Sequence, residues 1–220
     1  NGKGQVGEGA QYTQPVPDTD MTTLSYLTSW KRGDGGRVIV EGEAGNAYPD
    51  LDGFRRTLAW LPGDYVLLLD HVRAPEAVEI TWLAAVPQGQ FLDPDAGRCA
   101  AYAEEGARMP FTILGSAPFT GALDFMQFLG RWKHELVQQF QFRKETDHMR
   151  FACLLNPWNR EDLALEFEER EDKTILRVRG DGLDDTWTWT PATDLKTPSA
   201  IQGTRSGDAL IELTTEDHAP

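Results

Sequence analysis

Basic charge is scarce in this chain. Its 21 lysines and arginines stand against 35 aspartates and glutamates, for a formal net charge of −14. Such a balance argues against nucleic acid and anionic membrane surfaces as partners. An anionic sugar polymer stays open, because screening sets in at about 8–10 Å at physiological salt and a local basic pocket can outweigh a distant acidic surface. Cysteine is scarce too. Cys99 and Cys153 are the only two, each inside an extended apolar run. A pair of buried free thiols and a Cys99–Cys153 bridge are both open, so cysteine usage fixes no redox compartment. No apolar run suits a transmembrane helix, and no signal peptide or lipidation motif is visible. The chain opens at Asn1-Gly2-Lys3-Gly4, which suits a removed leader and a missing upstream region alike.

Chemical motifs are missing as well. There is no GxSxG, HExxH, P-loop, CxxC pair, or GxGxxG between a strand and a helix. The four histidines (His71, His134, His148 and His218) are scattered singly, whereas a metal site needs three or four converging ligands. No residue is therefore assigned to a metal, and no cofactor is expected. The absence of a 20–50-residue repeat argues against a propeller or a solenoid.

What the chain does have is alternation. Between Phe54 and Pro87, extended runs at 54–61, 65–73 and 77–86 are separated by Pro62-Gly63-Asp64 and Ala74-Pro75-Glu76, both rich in turn formers. Strands joined so briefly must run antiparallel. Further strands are predicted at 23–30, 37–43, 98–104, 108–114, 136–144, 148–155, 163–170, 173–179, 185–190 and 208–214. Phe125, Leu129, Trp132, Leu136 and Phe140 mimic a helical stripe, but no cap brackets them and Gly130 interrupts. Residues 116–135 are read as a long loop with at most one helical turn. Residues 1–20 read as an extended start and a surface loop, and 215–220 as a frayed tail. About a dozen strands without a long amphipathic helix predict an all-β fold, an antiparallel two-sheet β-sandwich forming a single domain over 1–220. An apolar fraction of 40% with seven tryptophans fills a core of that size, each large side chain contributing roughly 1.5–3 kcal/mol when fully buried.

Functional candidates come with structural alternatives. Asp70 and His71 are adjacent on a strand and point to opposite faces, so one of them faces the interior and needs a partner. For Asp70 that partner is a set of turn amides or an arginine; His71 is a candidate for the site. Arg55 and Arg56, also on opposite faces, offer a guanidinium to a carboxylate of a substrate or to a cross-strand salt bridge. Tyr48, Asp50 and Asp52 share the loop 46–52, whose oxygens suit sugar hydroxyls, calcium or plain solvent. Trp158, in the turn Asn156–Arg160, can stack on a pyranose ring or pack over a sheet edge. Trp187 and Trp189 share one face and read as core.

Four stretches carry a family resemblance. Asn1-Gly2-Lys3-Gly4-Gln5 resembles the end of a strand that reads Asp/Asn-Gly-x-x-Gln in the heparinase II/III-like polysaccharide lyases. Ala47-Tyr48 through Phe54-Arg55-Arg56 resembles that family's following loop and strand, Pro62 to Arg73 its next strand, and Phe151 to Pro157 a later one. Together they span about residues 1–160. The resemblance implies the C-terminal β-sandwich domain of a larger enzyme that cuts a uronic-acid polysaccharide of the glycosaminoglycan or alginate type by β-elimination. There a base removes the proton α to the uronate carboxylate, an acid protonates the leaving oxygen, and donors neutralise the carboxylate.

The same resemblance implies that the catalytic Tyr, the His-containing motifs and an α-helical partner domain all lie upstream of Asn1. The chain alone is then expected to be inactive, with catalytic residues unknown. Tyr48, Arg55, His71 and Trp158 are the candidates for contact with an anionic polysaccharide, in a periplasmic or secreted protein. A non-catalytic carbohydrate-binding module and a structural sandwich are the alternatives.

Overall fold

A computed structural model describes residues 25–103, 105–129, 134–160, 162–194 and 196–217, with backbone alone at 127–129 and 134–136. The first sheet is built from β1 (Tyr26–Arg32), β2 (Val38–Glu43), β3 (Gly53–Leu61), β4 (Tyr65–Val86), β5 (Gln88–Asp93), β6 (Arg98–Tyr102), β7 (Arg108–Gly115), β8 (Thr120–Leu129) and β9 (His134–Leu155). The second is built from β10 (Ala164–Glu169), β11 (Thr174–Gly180), β12 (Leu183–Thr190), β13 (Ala200–Arg205) and β14 (Asp208–Leu213). The large sheet runs β1-β2-β3-β4-β9-β7-β6-β5, with β8 paired to β9, and the small one runs β10 to β14 in sequence order. Every pairing is antiparallel. The expected two-sheet β-sandwich is the fold found.

Two apolar clusters hold it. The first lies between the sheets, where Leu61, Tyr65, Leu67 and Leu69 meet Leu176, Val178, Trp187 and Trp189. Both tryptophans are fully buried, as their shared face requires. The second lies on the other face of the large sheet and joins Val72, Ile80 and Trp82 to Cys99, Phe111, Phe140, Phe142 and Phe151. The sheet must bend strongly to close over it. Phe91 of β5 sits 5.3 Å from Phe140 of β9 although β6 and β7 separate the two strands in the ladder.

Four expectations are corrected. Ala74-Pro75-Glu76 makes no turn, since β4 continues through it for 22 residues. Proline's fixed φ is compatible with extended backbone and its missing N–H is tolerated at a bulge. Here the register against β9 slips from Arg73–His148 to Val78–Thr146. The strands expected at 136–144 and 148–155 are likewise one strand, β9. Residues 120–129 are strand rather than loop, because β9 outruns β7 and offers its edge to β8; residues 130–133 lie outside those described. Strands β5 and β13 were not foreseen.

The first strand runs over Tyr26–Arg32 rather than 23–30, and residues 1–24, with the expected start and loop, lie outside the described residues. At the other end, Asp217 accepts from the Thr214 N–H and hydroxyl and pairs with Lys31 at 3.3 Å, so the chain is tied down at least that far. Residues 218–220 lie outside those described.

Candidate functional site

Register assembles a row of charge across four strands. Glu43 pairs with Arg55, Arg55 with His71 and His71 with Arg150, spanning β2, β3, β4 and β9. Because paired residues share a face, all four point into the space between the sheets, and all are buried. The Arg55 guanidinium lies 2.8 Å from Glu41 and 3.5 Å from Glu43, and donates to the backbone carbonyls of Asp194 and Thr197 in the connection between β12 and β13. Glu41 also accepts from Thr28, Thr57 and the Ser199 N–H. Arg150 spans to the small sheet, pairing with Glu169 at 2.8 Å and donating to the Thr174 hydroxyl at 3.2 Å.

His71 closes this row against a second histidine. Its Nε2 lies 3.0 Å from Nε2 of His148, and its ring meets Trp189 edge-on at 6.4 Å. Burial, helped by His148 and the charges of Arg150, Arg73 and Arg55, pulls the His71 pKa down to about 3. His148 is lowered too, by burial and Arg150, against the opposing pull of Glu169 and Asp147. Both imidazoles are therefore neutral near pH 7, and one donates its Nε2–H to the other. His148, half-buried, is the member of the pair nearer to solvent.

The opposite face of the same strands solves the Asp70 problem. Asp70 is 1% exposed, and Arg56, its cross-strand partner, grips it with Nε and a terminal nitrogen, each at 2.7 Å. The Trp82 indole N–H adds a third bond at 2.8 Å. The Arg56 guanidinium also lies over the Phe54 ring at 5.6 Å, and Phe54 meets Tyr48 edge-on at 5.5 Å.

Of the four candidates, the fold brings Arg55 and His71 together as cross-strand neighbours facing the interior. Tyr48 stands beside Phe54 on the other face of the sheet. Trp158 lies beyond the far end of β9, where Leu155 pairs with Val66 rather than Arg150 with His71. It is 44% exposed on a turn pinned by Asn156, whose side chain both accepts from and donates to the Arg160 backbone. Sequence reasoning missed His148 and Arg150. Among the described residues, no group of three or more His, Cys, Asp or Glu side chains could hold a metal ion. Among them, too, no helix is long and apolar enough to cross a membrane.

The architecture is that of a sandwich found within polysaccharide lyases. It is similar to a heparinase III gene product (TM-score 0.61, 13% identity, covering 76% of this chain and 27% of that one) and to a second heparinase III structure (0.60, 13%, 76% and 27%). It is also similar to heparan sulfate lyase HepC from Pedobacter heparinus (0.57, 12%, 89% and 29%). At these identities the likeness is one of fold, and the chain spans little more than a quarter of the length of these enzymes. No protein-family model matches the chain, and no curated protein matches it either.

Proposed function

We propose that this chain is the C-terminal sandwich of a heparinase II/III-like polysaccharide lyase, acting by β-elimination on a uronic-acid polymer, with most of the reacting groups supplied by polypeptide outside these residues. The observation that carries this reading is the placement of Arg55 and His71. Both sit in the segment that resembles the lyases, yet they face inward and spend their polar atoms on Glu41, Glu43 and His148. A general base must reach the proton that it removes, and a buried brace does not. The fold likeness to lyases about three times as long agrees with a division of labour in which this part is scaffold. An upstream helical domain would close the cleft, and a periplasmic or secreted location belongs to the same proposal.

The test compares two samples on a uronic-acid polymer, following the ultraviolet absorbance of the unsaturated product. The protein containing this chain with its preceding polypeptide is expected to turn over, and the 220 residues alone are not. Turnover by the 220 residues alone would overturn the division of labour. No elimination by the longer protein on any uronate polymer would overturn the lyase reading.

One observation favours a second reading, a carbohydrate-binding module. Trp158 is a large aromatic held exposed by a rigid turn, the form that sugar-stacking platforms take.

A further inference from the structure

The small sheet has five strands and the large one nine. The sandwich is therefore lopsided, and a step forms where edge strand β10 ends over the face of β7. A pocket of about 310 Å³ occupies this step, lined among others by Arg98, Arg108, Thr112, Asn156, Asn159 and Arg160. That size sits at the lower end of small-ligand sites. Three arginines converge here in a chain whose net charge is −14.

They are not equivalent. Arg160 is engaged, bonding Asp162 and the Asp181 carbonyl and reaching toward Asp64 at 3.9 Å. It stiffens the wall. Arg98 and Arg108 have no carboxylate partner among the described residues, and Arg108 makes one bond, to Asn159 Oδ1 at 3.3 Å. Arg98 of β6 stands opposite Thr112 of β7, and Arg108 of β7 opposite Tyr102 of β6, so two stiff strands space the guanidiniums. The facing wall is the turn that carries Trp158, anchored through the Asn156 N–H to the Pro110 carbonyl at 2.9 Å. Two guanidiniums without a carboxylate partner, in a pocket also lined by Thr112, Asn156 and Asn159, suit an oxyanion carried on a polar ligand.

We infer that this pocket binds an anionic sugar residue, its carboxylate or sulfate ester held by Arg98 and Arg108. The inference builds on the polysaccharide reading above, but it concerns a site at the C-terminal end of β9, past the register at which Arg150 pairs with His71.

The 220-residue chain is titrated at low salt with four probes: an oligouronate, a sulfated neutral glucan oligosaccharide, the same glucan unsubstituted, and inorganic sulfate. One or both anionic oligosaccharides are expected to bind, and which of them binds more tightly distinguishes carboxylate from sulfate ester. Arg98→Ala and Arg108→Ala should each weaken that binding roughly tenfold or more, since each removes charge-assisted bonds. Arg177→Ala, on the outer side of the small sheet, should change nothing. Thermal melts of each variant separate lost binding from lost folding. Undiminished binding in the Arg98→Ala/Arg108→Ala double variant, equal binding of the unsubstituted glucan, or no binding of either anionic oligosaccharide would overturn the site. Each of those results leaves the lyase reading standing, because elimination is measured separately on the longer protein.

Discussion

His71 and His148, 77 positions apart in sequence, meet Nε2 to Nε2 at 3.0 Å between the two sheets. A pair of imidazoles so placed shares one hydrogen bond while at least one ring is neutral, so the cost of charging it comes first from burial. A proton on His71 must sit in a buried site beside the charges of Arg55, Arg73 and Arg150, and protonating both rings leaves two donors facing each other; Glu169 and Asp147 partly compensate at His148.

The sign of the resulting pH dependence follows from linkage. The His71 pKa is about 3 in the fold against 6.5 in the unfolded chain. Between those values the unfolded state binds more protons, so stability is complete above pH 6.5 and is lost progressively as pH falls toward 3. From pH 6.5 to 5, above most carboxylate titrations, His71 alone should cost about 1–2 kcal/mol. His71→Gln should flatten that slope. Urea midpoints measured at several pH values check it, and an unchanged slope would mean that the pair is not the titrating group.

The Arg55 cluster should be the most sensitive charged site. Arg55→Ala leaves Glu41 and Glu43 buried without their cation, a loss of about 3–5 kcal/mol for a broken buried pair. Arg55→Lys keeps the charge but cannot reach two glutamates and two carbonyls at once, so it should recover only part of the loss. Arg177→Ala, whose pairs with Glu166 and Glu168 are exposed, should cost about 0.5 kcal/mol or less. Equilibrium urea unfolding of the three variants gives the order directly.

A second network ties the sheets through Tyr65. Its hydroxyl donates to Asp185 at 2.7 Å and accepts from the Trp187 indole at 2.8 Å, while Arg205 clamps Asp185 and Asp64. Tyr65→Phe conserves the ring and strands the buried Trp187 N–H, so it should cost about 1–3 kcal/mol. Burial and Asp185 both push the Tyr65 phenol upward, so it should stay protonated in an alkaline absorbance titration until the chain unfolds.

Two glycines with left-handed φ separate strain from collision. Gly35 (φ 68°) has open space where a Cβ would go, and Gly35→Ala should cost about 1 kcal/mol, the price of αL for an L-residue. At Gly97 (φ 65°) a Cβ would overlap the Ile113 carbonyl, whose residue donates its N–H to Gly97 O at 3.0 Å. Gly97→Ala should therefore cost clearly more than Gly35→Ala and distort the β6–β7 pair under the arginine pocket. Melting temperatures of the two variants rank them.

Much of this fold is written locally. Alternation in 54–61 and 65–73, Pro62-Gly63-Asp64 between them, and the i, i+2 tryptophans of β12 each announce a strand, a turn or a core face without reference to anything distant. Strands β5 and β13 escaped because Gln88, Gly89 and Gln90, or Gln202 and Gly203, carry no β-branched or aromatic pattern and rely on their neighbours' ladders. Strand β8 escaped for a related reason: only the excess length of β9 gives it an edge to pair with. At the candidate site, Asp70 and Arg56 were legible as a cross-strand possibility, since a short turn fixes the β3–β4 register. The partnership of His71 with His148 was not, because it depends on the register between β4 and β9, strands far apart in sequence, which no local spacing reveals.

The two thiols offer the last check. Cys99 and Cys153 are both free and both buried in the aromatic cluster of the large sheet. Burial pushes the Cys99 thiol up to about 12, and Cys153, fully enclosed near Asp70, is pushed higher. At pH 8 about one Cys99 thiol in ten thousand is then thiolate, the form that reacts, and each is also shielded from any reagent. The native chain should resist an aromatic disulfide reagent over the time in which the urea-unfolded chain, without reductant, yields both thiols. A zero count after unfolding would mean a Cys99–Cys153 bridge and would contradict the fold described here. Rapid modification of one thiol in the native state, mapped to Cys99, would instead show that β6 opens independently of the rest. The rate of that opening would measure how firmly the arginine pocket above it is held.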